Sequence, residues 1–200
     1  VAVSKFQPIP LLQEAYNCGQ RIFGESKVQE LVEKEAALPK DIEWHFIGHL
    51  QTNKVKYIAP FISVIHSVDS LKLAKEIDKQ AQKNSRVIDC LLEVHIAQEE
   101  SKQGFSIDEV KALMNGKVFS ELPNINIVGL MGMASFTDDL ESVRKEFRSL
   151  STLFYNLKES VAPQFKELSM GMSNDYIIAM EEGSTLVRIG TYLFGQRNYN

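Results

Sequence analysis

The sequence has no run of the roughly 18 apolar residues that a membrane-spanning helix needs, so no such helix is expected. It also lacks basic excess. Its 22 Lys and Arg stand against 26 Asp and Glu, a net charge of -4, and the basic stripe of a nucleic-acid footprint is missing. Cysteine is scarce: Cys18 and Cys90 lie far apart without metal-ligand spacing, which reads as two reduced thiols in a cytoplasmic protein rather than a disulfide. Neither G-x-G-x-x-G nor H-E-x-x-H occurs, so motif signals for a dinucleotide fold and a zinc hydrolase are absent. No linker, low-complexity tract or charge block interrupts residues 1–200, and 44% of them are hydrophobic, enough for one domain with a full core.

What the chain does have is alternation. Apolar, β-branched runs at Val1–Lys5, Arg21–Ser26, Trp44–His49, Val64–Val68, Ile88–Ile96, Ile125–Ala134, Glu167–Met172 and Leu186–Gly190 predict eight strands. Helical patterns lie between them. In the clearest, from Asp139 to Val161, apolar residues step by three and four with charges on the other face. Ser70, Ser106 and either Ser173 or Asn174 suit helix N-caps, and Gly183 suits a helix stop after Asp175–Glu182. Strand–helix alternation implies a parallel sheet, and eight strands favour closure into a single (β/α)₈ TIM barrel, an α/β fold. Periodicity alone leaves an open doubly wound sheet as the alternative. The chain opens on Val1-Ala2-Val3-Ser4-Lys5 without a methionine, like a strand entered partway, so an upstream segment is expected to be missing.

In such a barrel the active site sits at the C-terminal ends of the strands, with phosphate at the loops after strands seven and eight. Those loops are expected at Gly171-Met172-Ser173-Asn174 and at Gly190-Thr191. Each joins a glycine, which lets the backbone approach an anion, to a hydroxyl donor, and the first opens directly into a helix. One such pair is ordinarily just a turn; two pairs at the phosphate position of one fold favour function. Lys5 closes strand one, the neighbour of strand eight, and faces the same cavity. A strand-end lysine is commonly a solvated charge, but a partly buried one beside a cation such as Arg188 loses its proton more readily and forms Schiff bases. Lysine, phosphate cradle and arginine together describe an aldehyde cofactor that bears a phosphate, as pyridoxal 5′-phosphate (PLP) does. His45 and His49 would stand roughly 13 Å apart along a strand, too far to share an ion, so no metal site is expected.

Several motifs carry a resemblance. Val1–Lys5, Phe23-Gly24-Glu25, Val28-Gln29-Glu30, Trp44 to Gln51 and Asn53-Lys54 are similar to the pyridoxal-phosphate homeostasis protein family. So are His66-Ser67-Val68-Asp69, Lys102-Gln103-Gly104-Phe105, Gly129 to Met133, Leu168 to Ser173, Val187 to Thr191 and Phe194-Gly195. The resemblance implies the PLP-binding barrel of alanine racemase, preceded by a helix that this chain lacks. It implies PLP as cofactor on Lys5, its phosphate held by Ser173 and the amides of Gly190 and Thr191, and its pyridine nitrogen facing Arg188. Asn53, Ser67 and Met170 would line the ring. Ser26 departs from the asparagine the family commonly has after Gly-Glu, which puts a ring contact there in doubt.

Opposite the ring nitrogen an arginine, donor-only and charged, favours the unprotonated ring and a weak electron sink. Alanine racemase draws its second acid–base group from another domain, for which these 200 residues leave no room. The expectation is therefore no catalytic residues, and a cytoplasmic, monomeric carrier that buffers PLP or delivers it to apo PLP-dependent enzymes. The runner-up is a PLP-dependent amino-acid racemase or decarboxylase on the same lysine. A cofactor-free Schiff-base aldolase is the third.

Overall fold

A computed structural model describes residues 1–98 and 103–195. Lys102, from one of the motifs above, lies outside them. Seven strands form one parallel sheet in sequence order: β1 Ala2–Val3, β2 Ile22–Glu25, β3 Glu43–Phe46, β4 Val64–Val68, β5 Ile88–His95, β6 Ile125–Met133 and β7 Glu167–Ser169. The seven runs expected first all became strands, with ends trimmed by up to three residues and β3 beginning one residue early, at Glu43. Between or after them come α1 Ile9–Asn17, α2 Val28–Ala37, α3 Val55–Ile58, α4 Leu71–Lys83, α5 Ile107–Asn115, α6 Leu140–Ser160, α7 Tyr176–Glu181 and α8 Thr191–Phe194.

The eighth expected strand, Leu186–Gly190, does not form a regular strand. It meets β7 and β1 at single bridges, Ser169 to Leu186 and Ala2 to Ile189. Between them the Arg188 amide is drawn 2.9 Å to the carbonyl of Gly171, beyond the end of β7. Gly171 has φ +95°, a turn that carries the chain off the ladder and favours glycine. The segment still touches both sheet edges, since Val3 N–H donates to Ile189 O at 2.7 Å and Met170 N–H to Leu186 O at 3.1 Å. What the structure shows is a seven-stranded, curled parallel α/β sheet.

The main core lies between the sheet and its helices: Phe23, Trp44 and Phe46 from strands meet Leu31, Ile77, Phe147 and Phe154 from helices, all buried. A small second cluster of Leu91, Val128 and Met131 occupies part of the concave side. There β6 passes close to β7; a Cβ at Gly129 would stand 1.7 Å from Glu167 O, so only glycine fits. Sequence signals set the helix ends. Ser70 accepts from Leu73 N–H, and Ser106 and Glu109 form a reciprocal capping box. The N-cap of α7 is Asp175, neither Ser173 nor Asn174, because the Asp175 carboxylate takes the Met172 amide at 2.6 Å and the helix begins only after it. Gly183, at φ +94°, stops α7 as expected. No described helix is long and apolar enough to cross a membrane.

Candidate functional site

Five of the residues singled out by sequence meet in one place. Lys5, Ser173, Arg188, Gly190 and Thr191 line a cavity of about 260 Å³ at the C-terminal ends of β1, β6 and β7. Val3, Ile47, Met133 and Met172 give it apolar walls, and Ala134, Ser135, Phe136, Asn174 and Asp175 also line it. A larger cavity of about 680 Å³, lined by Asp89, Asn126 and Lys166, opens at the other ends of β5 and β6, away from Lys5. Lys5 does not close a strand: β1 stops at Val3, and Lys5 occupies a turn closed by Gln7 N–H to Ser4 O at 3.0 Å.

The cavity offers unspent donors. Among the described residues, the backbone N–H groups of Ser173, Asn174, Gly190 and Thr191 donate to no protein acceptor. Backbone N–H groups without protein acceptors, beside hydroxyls, are donors of the kind that a phosphate dianion takes. The other three predicted residues stand apart. Asn53, in a turn of 3₁₀-helix, lines a separate cavity with His49, Asp69 and Gln103. Ser67 is buried in the irregular register between Ile65 and Val68, its Oγ without a partner among the described residues, and does not line the Lys5 cavity. Met170 is fully buried in the main core.

Arg188 is held by a network that sequence reasoning missed. Its Nη1 donates to Ser169 O at 2.9 Å and Ser169 Oγ at 2.7 Å, and its Nη2 to Gly132 O at 3.0 Å. Ser169 Oγ lies 2.9 Å from His66 Nδ1, and His66 Nε2 lies 2.9 Å from His45 Nδ1. The bond from β4 to β7 skips two intervening strands, so it crosses the concave face. Ser169 Oγ, with two lone pairs, can accept from the arginine and still either donate to His66 Nδ1 or accept from it, while one of the two facing ring nitrogens must accept from the other. Burial favours neutral imidazoles, pulling His45 down to about 4 and His66 well below its ordinary value. Burial also lowers Arg188 to about 10, which leaves it charged near neutrality. His45 thus proves a core histidine, while His49 sits at the rim, 3.2 Å from Asp69.

Glu93 was also missed, although an acid in the apolar run Leu91-Leu92-Glu93-Val94 was a signal. It is 5% exposed, makes no side-chain hydrogen bond among the described residues, and lines a cavity of about 210 Å³ that shares Met133, Ala134, Phe136 and Met172 with the Lys5 cavity. Burial first, then the charge of Asp69, pushes its carboxyl up to about 7, against the opposing pull of Arg188 and His49. A carboxyl raised on folding takes up a proton between its unfolded and folded values, so it costs stability as pH rises through that window. Replacing Glu93 by Gln is accordingly expected to raise stability by on the order of 3 kcal/mol near pH 8 and to change it little near pH 4, as urea unfolding at both pH values would measure.

The chain is similar to known proteins over nearly its whole length. The family model for the alanine racemase N-terminal domain matches residues 5–198. A pyridoxal phosphate homeostasis protein of Aquifex aeolicus is 46% identical over 200 residues, covering 100% of this chain and 87% of that protein. One from Vibrio alginolyticus is 40% identical over 205 residues, with 100% and 87% covered. Among solved structures, PipY of Synechococcus elongatus with PLP bound superposes with a TM-score of 0.87 at 36% identity, covering 98% of this chain and 91% of that one. Alanine racemase of Streptomyces lavendulae shares the fold, at a TM-score of 0.75 and 16% identity over 97% of this chain and 52% of its own. The chain therefore has the alanine racemase-like fold and belongs to the pyridoxal phosphate homeostasis protein family.

Proposed function

We propose that this protein binds PLP as a Schiff base on Lys5 and serves PLP homeostasis by buffering the cofactor and delivering it, without turning it over. The observation that carries the reading is the Lys5 cavity itself, where one lysine shares a pocket with four unspent backbone N–H groups and a buried arginine. A homologue with PLP bound and relatives named for PLP homeostasis support it. When bound, PLP supplies an aldehyde for a neutral lysine amine and an electron-poor ring.

The chain's own residues do the rest. Ser173 Oγ and the amides of Gly190 and Thr191 hold the phosphate. Arg188, with both Nη1 hydrogens on Ser169 and one Nη2 hydrogen on Gly132, has Nε–H and one Nη2–H left, of which one would be offered to the ring nitrogen. As a donor that stays charged it keeps that nitrogen unprotonated, which weakens carbanion chemistry. Racemisation needs a second acid–base group opposite the lysine. Asp175, the one carboxylate among the described lining residues, spends Oδ1 on the Met172 amide. Met170 and Ser67 support the ring wall from behind, and Asn53 borders it from its separate cavity. The same reading takes residues 186–189 as the eighth member of a (β/α)₈ barrel in a monomeric chain. It also places the protein in the cytoplasm, consistent with free thiols at Cys18 and Cys90.

The test is transfer. Loaded protein mixed with an apo PLP-dependent enzyme and a trap for free PLP is expected to activate that enzyme while exchanging no α-protons on added amino acids. Rapid exchange would instead establish the racemase reading, and activation that the trap abolishes would reduce delivery to simple release.

A further inference from the structure

Lys34 projects from α2 yet is 3% exposed, an unusual place for a lysine. Its ammonium donates three bonds: to Ser4 O at 2.7 Å, to Glu25 Oε1 at 2.8 Å and to Glu30 Oε1 at 2.7 Å. Glu25, at the end of β2, is fully buried and also accepts from Ser4 Oγ at 2.6 Å. Glu30 Oε1 accepts in addition from the Phe6 amide at 2.6 Å. The network therefore grips the backbone on both sides of Lys5, at the carbonyl before it and the amide after it. Phe6 has φ +64°, the left-handed region that a bulky residue enters only when its surroundings impose it.

A buried ion-pair network is weak evidence for stability, since desolvation consumes most of the attraction; its best-attested use is to fix geometry. Here it fixes the turn that carries Lys5. We propose that Lys34, Glu25 and Glu30 form a clamp that sets the position of Lys5, which makes all three positioning residues for covalent attachment of the cofactor. The clamp also decides between the lysines. All three Lys34 donors are filled and two carboxyl groups stand beside it in the interior, away from the cavity that Lys5 lines.

The inference rests on the Lys5 reading, and its test separates the two. Titrations with PLP and with inorganic phosphate are made on the wild type and on Glu30→Ala, Glu30→Gln, Phe6→Gly and Lys5→Ala. Glu30→Ala removes both the Phe6 and Lys34 contacts of a side chain that is already 20% exposed, so the fold is expected to survive. It should weaken PLP binding about tenfold and slow Schiff-base formation, with phosphate affinity unchanged within about twofold. Glu30→Gln keeps an acceptor for both donors and should restore most of the loss. Phe6→Gly, which frees the turn, should behave like Glu30→Ala. Wild-type PLP affinity in Glu30→Ala, or equal loss of PLP and phosphate, overturns the clamp. Wild-type affinity and absorption in Lys5→Ala overturns the attachment reading beneath it.

Discussion

Lys5→Ala is expected to lose the Schiff-base absorption completely and to bind PLP at least about a hundredfold more weakly, while folding normally. The chemistry admits no substitute nearby. Lys5 is the lysine that lines the cavity among the described residues, and Lys34, the buried lysine next in line, holds three hydrogen bonds and two carboxylate partners. A hundredfold change corresponds to about 2.7 kcal/mol, a modest share of what a covalent bond contributes, because the phosphate donors remain. Stability should move by less than about 0.5 kcal/mol, since Lys5 sits half-buried in a turn outside β1. Absorbance titration and thermal unfolding of the same variant check both halves. A variant that still develops the Schiff-base band would move attachment to another residue.

Arg188→Met is expected to damage both fold and site. Removing a guanidinium that is 4% exposed leaves Ser169 O and Gly132 O without their side-chain donor and breaks the start of the Ser169–His66–His45 chain. Acceptors stranded in the interior cost about 1–3 kcal/mol each, so a loss of roughly 3–5 kcal/mol is expected in urea unfolding. The effect on Glu93 has a definite sign. Arg188 lowers the carboxyl's pKa, so without it the value climbs above about 7 and the acid stays neutral to higher pH. PLP that still binds should lack its ring-nitrogen partner and absorb differently from the wild-type complex. Wild-type stability with an unchanged spectrum would show that Arg188 is neither a strut nor a ring contact.

Much of this architecture is written in local patterns. Val64–Val68 and Ile88–His95 are dense in β-branched and apolar residues, and Ser70, Ser106 and Gly183 mark helix ends by chemistry that acts within four residues. The eighth run lies between its expected neighbours, β7 and β1, but makes no regular ladder with either. Gly171 turns the chain out of β7, and only single bridges remain for residues 186–189. That Ser173, Gly190 and Thr191 share one cavity was legible for the same local reason, a glycine beside a hydroxyl at each of two loops. The clamp and the arginine network were not, because they are contacts of long sequence separation: His66 meets Ser169 over 103 residues, and Lys34 meets Ser4 over 30. Phe6 gives no hint of a positive φ, since its conformation is imposed by Glu30 and the turn rather than chosen by its side chain.

The most direct test is to load the wild-type protein with PLP, reduce it with borohydride, and map the modified peptide. The account predicts one equivalent of label per chain, on Lys5, with Lys34 unmodified and with inorganic phosphate slowing the labelling by competing for the Ser173–Gly190–Thr191 cradle. Label on Lys34 or on any other lysine, or labelling indifferent to phosphate, would contradict it.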